Sequence, residues 1–176
     1  MSELKIRGLK LSGELCLVRL HHSPTVMNRL PAFCAIMAGN RINLPYVFSA
    51  PCSGDFQAAC CVDAAHETLI KEMVDADPML KARISYIPAV GLLTLFPHQS
   101  SLKLFMLSLR ALHRENFQVM EIGSSIGALT YVLPYRQLDA AADVLKSVFK
   151  LDGNHTPFRT EMRICQGTQI RPGALE

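Results

Sequence analysis

Side chains that could take part in chemistry are concentrated in two polar loops of this chain. His21 and His22 follow one apolar stretch, and His98 follows another at a matching place. Histidines there could contact a ligand or bind a metal, but adjacent histidines at a strand end point apart. Neither Cys nor a carboxylate stands at a metal-ligand spacing from them. We therefore favour polar loop residues over a metal site.

Motifs that would indicate an enzyme do not occur in the sequence. His66 begins no HExxH motif, because the residue four positions later is Ile70. Ser124 and Ser125 stand in no GxSxG motif, and the residues around them are typical of a turn between two strands. The glycine spacing at 123–127 lacks the lysine of a phosphate-binding loop. With no acid–base pair, nucleophile or cofactor motif, the sequence predicts a binding protein without a cofactor rather than an enzyme.

Composition limits the possible architectures and partners. The chain has 176 residues, enough for one large domain or two small ones, and its net charge at pH 7 is +3. Basic residues are scattered and form no run interleaved with aromatic residues, which argues against nucleic-acid binding. Hydrophobic residues make up 49% of the chain and charged residues only 19%. We therefore expect part of the apolar surface to be buried in a homodimer.

The cysteines and the N-terminal residues indicate in which cellular compartment the protein is expected. None of the six cysteines forms a CxxC pair, so a reduced compartment is the simplest interpretation. Cys60 and Cys61 are adjacent on a predicted strand, and we expect one in the core and the other on the outer face. The first residues lack the apolar region of a signal peptide, and no run of about 18 apolar residues could span a membrane. A cytoplasmic protein without membrane contact is expected.

A duplicated pattern of apolar and polar segments predicts the architecture. An apolar strand, a polar loop, a helix and a second strand occur at 15–50 and again at 90–125. Strands are predicted at 3–10, 15–20, 43–49, 56–62, 80–87, 89–96, 118–123 and 126–133. Helices are predicted up to Gly39, at 64–75 with Asp63 as N-cap, at 101–115 and at 137–149. In the tail after residue 151 we expect at most one strand, at 161–165.

The predicted helix at 101–115 carries apolar residues on two sides. One stripe contains Leu102, Phe105, Met106, Leu109 and Leu112, and the other contains Leu104, Leu107 and Ala111. A helix on one face of a sheet needs a single apolar stripe. We therefore expect Leu104 and Leu107 to meet another helix, either from the other repeat or from a second chain. The alternative is that they are isolated surface leucines.

Residues 90–151 resemble, without a gap, the final segment of aspartate kinases, which belongs to their C-terminal regulatory pair of ACT domains. The similarity lies in VGLLTLFPHQSSLK, NFQVMEIGSSIGALTYVL and LDAAADVLKSVFKL. Residue types typical of the family occur at Ile122, Ser125, Leu138, Ala141, Leu145, Phe149 and Leu151. In the first repeat, INLPYVFSA resembles the corresponding strand of the family and keeps Ile42 and Asn43. The sequence contains no kinase domain.

The resemblance implies an α+β fold of two tandem ferredoxin-like (βαββαβ) ACT-type domains whose antiparallel sheets pack side by side. The expected boundaries are 11–87 for the first domain, 88–155 for the second and 156–176 for the tail, with the strand at 3–10 completing the second sheet. For function, the resemblance implies a stand-alone regulatory protein. Such a protein would bind an amino acid or a similar small metabolite, and would signal by assembly or through a partner enzyme.

In this family the ligand contacts come from the loop after the first strand, the start of the next helix and the strand that follows. The matching residues here are His22, Ser23, Met27, Asn28, Ile42, Asn43, Phe48, Ser49, His98, Gln99, Ser101, Gln118, Ile122 and Ser125. Where the family has Pro-Gly at the helix start, this chain has 27–28 and 102–103 without glycine, and Gln118 replaces an asparagine. These departures favour the alternative of a scaffold or regulatory subunit without a ligand, whereas Asn43 favours a surviving site in the first repeat.

Overall fold

The computed structural model describes residues 4–22, 29–52, 55–81, 84–97 and 101–151. Its strands are β1 (Lys5–Ile6), β2 (Gly8–Leu11), β3 (Leu15–His22), β4 (Tyr46–Cys52), β5 (Asp55–Asp63), β6 (Ile84–Phe96), β7 (Glu121–Ser124), β8 (Leu129–Pro134) and β9 (Lys150–Leu151). Its helices are α1 (Arg29–Gly39), α2 (Glu67–Asp75), α3 (Pro78–Lys81), α4 (Leu102–Arg114) and α5 (Leu138–Val148). The fold is α+β, as the resemblance implied. None of the helices in these ranges is long and apolar enough to cross a membrane.

Seven strands form one antiparallel sheet that contains two copies of the same unit. The order is β4-β5-β3-β6-β8-β7, and β2 lies beside β6 in line with β3. We define the first unit as β3, α1, β4, β5, α2 and the first half of β6, and the second unit as the second half of β6, α4, β7, β8 and α5. In the second unit β2 takes the place that the first half of β6 takes in the first unit. The strands β1 and β9 form a separate parallel pair.

The two units share β6, which runs unbroken from Ile84 to Phe96. Its pairing with β3 slips between Leu15 and Leu17, where β6 has one residue more than β3. The extra residue is accommodated as a bulge, because Ala89 adopts a φ of 53°. The bulge therefore keeps the strand continuous where one unit passes into the next. The division into domains at 87 and 88 stays a prediction.

The prediction of a separate strand at 80–87 is wrong. Its first residues belong to α3, because the Asp77 carbonyl accepts hydrogen bonds from the N–H groups of Leu80 and Lys81, each at 3.0 Å. Pro78 is suited to the first position of that helix, where an N–H would have no helical partner. The remaining residues merge with the predicted strand at 89–96 into β6.

Each unit has an apolar core between its helices and its sheet. In the first unit, Phe33 of α1, Ile70 and Val74 of α2 and the strand residues Val18 and Cys60 are fully or almost fully buried in one cluster. Full burial of such a side chain contributes about 1.5–3 kcal/mol relative to leaving it exposed. The helices of the first unit are therefore fixed to the sheet by their apolar faces.

In the second unit, α4 and α5 pack on β6 and β8 around a second core. Leu104 and Leu112 are buried there, whereas Leu102 and Met106 are exposed on the outer side of α4. The expectation that Leu104 meets the other repeat or a second chain is wrong, because Leu104 is buried in the core of its own unit, and Leu107 packs partly buried against the same core. The exposed residues Leu102 and Met106 belong to the other apolar stripe of this helix.

The faces of the two units that carry no helices pack against each other, and we call this contact the seam. Its buried residues are Leu15, Leu17, Tyr46, Ala59, Cys61, Val90, Leu92 and Val132, with Phe48, Ile87 and Met120 at the margin. The strands β4 and β7 meet here although they stand at opposite ends of the strand order. Cys61 is consequently as buried as Cys60, and the expectation of an outer face at one of them is wrong.

The helices α1 and α4 end with the same geometry. Arg41 and Asn116, just beyond the two helices, have φ values of 56° and 57°. The N–H groups of the next residues, Ile42 and Phe117, donate back to carbonyls of the last helical turn at 2.9 and 3.0 Å. A left-handed residue followed by such a bond is a common helix C-cap. The repeat is therefore preserved down to the helix ends.

Candidate functional site

Part of the predicted ligand site cannot be located. The residues that lie outside the described ranges are Ser23, Met27, Asn28, His98 and Gln99. His22 ends β3, and only its backbone is described. The two loops ahead of α1 and α4 therefore remain predicted parts of the site.

The predicted contacts of the first unit lie along the segment that leads into β4. Ile42 is buried in the core beneath α1, so its side chain anchors the backbone. Asn43 comes directly after it and is exposed. In β4, Phe48 packs at the margin of the seam, and Ser49 is exposed on the opposite side of the strand. The polar side chains of Asn43 and Ser49 thus reach solvent, and their role as ligand contacts stays a prediction.

The predicted contacts of the second unit have structural partners. The hydroxyl of Ser101 caps α4 and accepts a hydrogen bond from the N–H three residues later at 3.2 Å. Ser125 is bonded to Ala128 within the turn between β7 and β8, at 3.1 and 3.3 Å. Ile122 packs on the core of the second unit, and Gln118 is exposed. Ser101 and Ser125 therefore stabilise local structure, and the ligand contacts assigned to this unit stay predictions.

An ion pair crosses the seam from Arg19 in β3 to Glu121 in β7. Atoms Nη2 and Nε of Arg19 lie 2.8 and 2.9 Å from Oε1 of Glu121, and Nη2 also donates to the Met120 carbonyl at 3.2 Å. The side chains of Arg19 and Glu121 keep 27% and 14% of their surface exposed. The pair joins the two units and can be reached from solvent.

Tyr46 lies beside this ion pair, over the backbone of Gly123. A Cβ atom at Gly123 would lie 2.8 Å from the Tyr46 ring, so the approach requires glycine. Glu121 and Gly123 face the same side of β7 because they are two residues apart. The Tyr46 hydroxyl is buried and makes no hydrogen bond within the described ranges. Burial, followed by the negative charge of Glu121, raises the pKa of Tyr46 to about 12.

Sequence reasoning missed the polar groups of the seam, although the repeat contains a signal for them. When 41–50 and 116–125 are aligned without a gap, Tyr46 falls opposite Glu121 and Phe48 falls opposite Gly123. Large residues in one copy thus match a charged or small residue in the other. Unlike pairs of this kind are expected where two copies face each other, because each must fill the space that the other leaves.

The first unit also contains buried thiols that are unsuited to chemistry. Burial raises the pKa of Cys16 to about 11 and that of Cys61 to about 12, and it holds the pKa of Cys60 well above its usual range. Since the thiolate is the reactive form, these cysteines are inert at neutral pH. In the part of the chain that the structure describes, no three His, Cys, Asp or Glu residues are grouped to hold a metal ion.

Comparison with known proteins gives matches in fold rather than in sequence. No family model matches the chain, and no curated protein sequence matches it significantly. A structure of the alpha and beta subunits of aspartokinase superposes with a TM-score of 0.73 at 13% identity, covering 83% of this chain and 99% of that one. The ligand-free regulatory subunit of aspartate kinase from Thermus thermophilus gives a TM-score of 0.71 at 14% identity, covering 82% of this chain and 99% of that one.

A third match comes from a longer protein. E. coli aspartokinase III, in complex with lysine and aspartate, gives a TM-score of 0.61 at 19% identity, covering 85% of this chain and 34% of that one. Identities this low show a shared fold. The resemblance to the regulatory ACT domains of aspartate kinases is therefore confirmed for the fold of this chain.

Proposed function

We propose that this chain is a regulatory module that binds an amino acid or a similar small metabolite and signals through a change in assembly or through a partner enzyme. The observation that supports this most directly is the fold match to the Thermus thermophilus regulatory subunit over nearly its whole length. The similar E. coli enzyme was solved with lysine and aspartate. Free amino acids are therefore the first ligands to test.

A ligand site in the first unit is supported by the segment ahead of β4. The side chain of Ile42 is buried in the core, and its N–H donates to the Met37 carbonyl at 2.9 Å. Asn43 follows on this fixed backbone and presents its side-chain amide to solvent. An amide can donate to a ligand carboxylate and accept from a ligand ammonium. We assign the ligand to this segment together with the loop at 22–28.

The second unit is the weaker candidate for such a site. The helix N-terminus that would bind a ligand carboxylate is already capped, because the Ser101 hydroxyl accepts the N–H of Leu104 at 3.2 Å. Gln118 also stands where the family has an asparagine. If the first unit binds no ligand either, the chain would act as a scaffold or regulatory subunit for a separate enzyme. That is the alternative function, and the Ser101 cap favours it for the second unit.

Thermal-shift measurements with each of the twenty L-amino acids test the proposal. A ligand at 100 times its Kd should add about 2.7 kcal/mol to the free energy of unfolding. Asn43→Ala should weaken binding by about 1–3 kcal/mol, because a polar group of the ligand loses its partner. Thr68→Ala, at an exposed position of α2, is the control and should bind like the wild type. No response to any amino acid would favour the scaffold function.

We also propose that the chain catalyses no reaction of its own. Its sequence contains neither a glycine-rich phosphate loop followed by lysine nor a carboxylate cluster suited to magnesium. The purified chain is expected neither to hydrolyse ATP nor to phosphorylate aspartate. An ATP-dependent turnover that a point substitution in this chain abolishes would contradict this, since a contaminant would be unaffected.

Assembly as a homodimer is a further part of the proposal. Leu102 and Met106 keep 77% and 51% of their surface exposed on the outer side of α4. Light scattering should find a dimer, and Leu102→Glu should convert it to a folded monomer because this side chain is not part of the core. A wild-type protein that is strictly monomeric at high concentration would contradict this expectation.

A further inference from the structure

We infer that the outer side of α4 is a docking surface for an acidic amphipathic helix of a partner protein. Its exposed residues, which we call the basic face, are Leu102, Lys103, Met106, Arg110 and Arg114. The basic face supplies the proposed function with a contact surface, and it rests on that function only for the existence of a protein partner. Its residues are independent of the amino-acid site around Asn43.

The apolar part of the basic face lies in the first half of α4. Leu102 and Met106 keep 77% and 51% of their surface exposed, and they lie one helical turn apart on the same side of the helix. Among the helices that the structure describes, α2 exposes one large apolar side chain, Leu69, and α5 exposes one, Val148. Two neighbouring exposed apolar side chains on one helix indicate a surface that a partner covers.

The charged part of the basic face has a single sign. Lys103, Arg110 and Arg114 are exposed, and the sequence of α4 contains neither Asp nor Glu. These three cations take part in none of the ion pairs among the described residues. Lysines of α2 and α5, by contrast, each pair with an acidic residue of their own helix. The charges of α4 are therefore available to a partner.

The stability of α4 itself does not account for this charge pattern. A cation near a helix C-terminus is favourable, which explains Arg114. Lys103 stands in the first turn, where the helix dipole disfavours a positive charge. Arg110 and Arg114 are four residues apart, and like charges at that spacing destabilise a helix. Acidic groups of a bound partner would remove both unfavourable interactions.

The shape of the basic face fits a helix. The 13 residues of α4 span about 20 Å, and the exposed side chains recur every three or four residues, so they form a ridge along which a second helix can pack. The partner helix needs an apolar stripe to cover Leu102 and Met106. It also needs Asp or Glu beside that stripe to face the three cations. Charge complementarity therefore selects an acidic amphipathic helix.

A second copy of this chain fits the basic face less well. A two-fold symmetric dimer places the same surface of both copies in contact, so the cations of one copy would face those of the other. Like charges that meet across an interface oppose association. The homodimer proposed above is therefore the weaker assembly at this face, and an acidic partner replaces the second copy. Binding of the partner is thereby coupled to a change in assembly.

Fluorescence anisotropy with two labelled helical peptides tests the surface. Both peptides have about 20 residues and leucines at helical spacing, and the remaining positions are Glu in the acidic peptide and Lys in the basic peptide. The acidic peptide should bind, with an affinity that falls as the salt concentration rises, whereas the basic peptide should not bind. Equal affinity for the two peptides, or binding of neither, would overturn the docking surface.

Three variants locate the bound peptide. Arg110→Glu should weaken binding of the acidic peptide about tenfold because an attraction becomes a repulsion, and Leu102→Ser should weaken it similarly because an apolar contact is lost. Arg41→Glu is the matched control, since Arg41 is exposed beyond α1, whose unit carries its helices on the other side of the seam. All three should unfold at the wild-type temperature. An equal loss of affinity for Arg41→Glu would mean that only net charge matters, and would overturn the site.

Light scattering identifies what occupies the basic face. Saturating acidic peptide should convert a dimer into a complex of one chain with one peptide. A dimer that persists with the peptide bound would overturn the inference, because the second copy would then hold the face. Binding to phosphatidylserine vesicles without binding of the acidic peptide would overturn it in favour of a membrane surface. A flat thermal-shift response to the amino acids would contradict the ligand part of the proposed function and would leave the basic face standing.

Discussion

The two units share one arrangement of elements but place large and small side chains in reciprocal positions. In the first unit the helix contributes Phe33 and the strand contributes Cys60, whereas in the second unit the helix contributes Ser108 and the strand contributes Tyr131. Both pairs are fully buried. The space between helix and sheet is therefore the same in both units, but the large side chain that fills it comes from the helix in one unit and from the strand in the other. Close packing requires that the space be filled, not that a particular element fill it.

This exchange of large and small side chains between helix and strand also changes the polarity of the core. The hydroxyl groups of Ser108 and Tyr131 lie 2.6 Å apart, and Ser108 also donates to the Leu104 carbonyl at 2.8 Å. The second core thus contains a satisfied polar pair where the first has apolar contacts. At the seam the exchange takes place between the units, where Tyr46 of one covers Gly123 of the other.

The largest effect is expected from emptying the helix side of the first core. Phe33→Ala should lower the free energy of unfolding by about 3–5 kcal/mol, because the removed ring leaves a cavity against the sheet. Ala35→Ser, at an exposed position of the same helix, should stay within about 0.5 kcal/mol. Urea unfolding measures both. A small loss in the free energy of unfolding for Phe33→Ala would contradict this prediction, because it would show that the Phe33 ring is not needed to fill the first core.

High pH should weaken both the seam and the second core. The pKa of Tyr46 and that of Tyr131 are raised from 10 to about 12, chiefly by burial. Because the folded state has the higher pKa, the stabilisation is complete below pH 10 and is lost as the pH rises towards 12. Each tyrosine accounts for at most about 3 kcal/mol. Tyr46→Phe should unfold with a smaller pH dependence than the wild type when urea curves at about pH 8 and about pH 11 are compared.

The fit between Tyr46 and Gly123 can be tested by adding one methyl group. Gly123→Ala should cost about 1–3 kcal/mol, because its Cβ would lie 2.8 Å from the ring. Gly127→Ala is the control, since a Cβ there meets nothing within 4 Å. In a Tyr46→Leu background the cost of Gly123→Ala should shrink, and thermal unfolding of the four proteins measures this coupling. If Gly123→Ala lowers stability equally in the wild-type and the Tyr46→Leu background, the Tyr46 ring is not what excludes a side chain at position 123.

The smallest effect is expected at the matching helix ends. Arg41 has a left-handed φ of 56°, and the equivalent position of the second unit holds Asn116 at 57°. Asparagine tolerates this conformation better than arginine, so Arg41→Asn should stabilise the protein by up to about 1 kcal/mol. Asn116→Arg should destabilise it by a similar amount. Opposite shifts of the unfolding temperature for the two variants would support the equivalence of the two helix ends, and shifts of the same sign would contradict it.

Much of the fold could be predicted because local patterns determine it. The order of strands and helices in both repeats follows from apolar periodicity, and α4 was bounded within one residue at each end. The prediction of Asp63 as an N-cap is correct for the 3-10 turn Ala64–His66, since the Asp63 carboxylate accepts the Ala65 N–H at 2.9 Å, whereas α2 itself begins later, at Glu67. The strand at 80–87 was wrong because a proline after Asp77 starts a short helix there.

The candidate site was predicted less completely. The family resemblance predicts ligand contacts in the loops and at Asn43, which is exposed and whose role stays a prediction. It did not indicate Ser101 as a cap or Arg19 and Glu121 as a pair across the seam. The partners in that pair are 102 positions apart, and no local pattern connects them.

The sequence by itself determined the duplication, the order of the elements and which residues of each element are apolar, because periodicity and capping act over a few neighbouring residues. Only the tertiary structure decided what covers each apolar face. Leu104 faces its own sheet rather than another chain, and Cys61 is buried because the helix-free face of the second unit lies against it. Burial depends on partners that are distant in the chain. An apolar residue therefore indicates that it will be buried, but the sequence around it does not indicate which element will cover it.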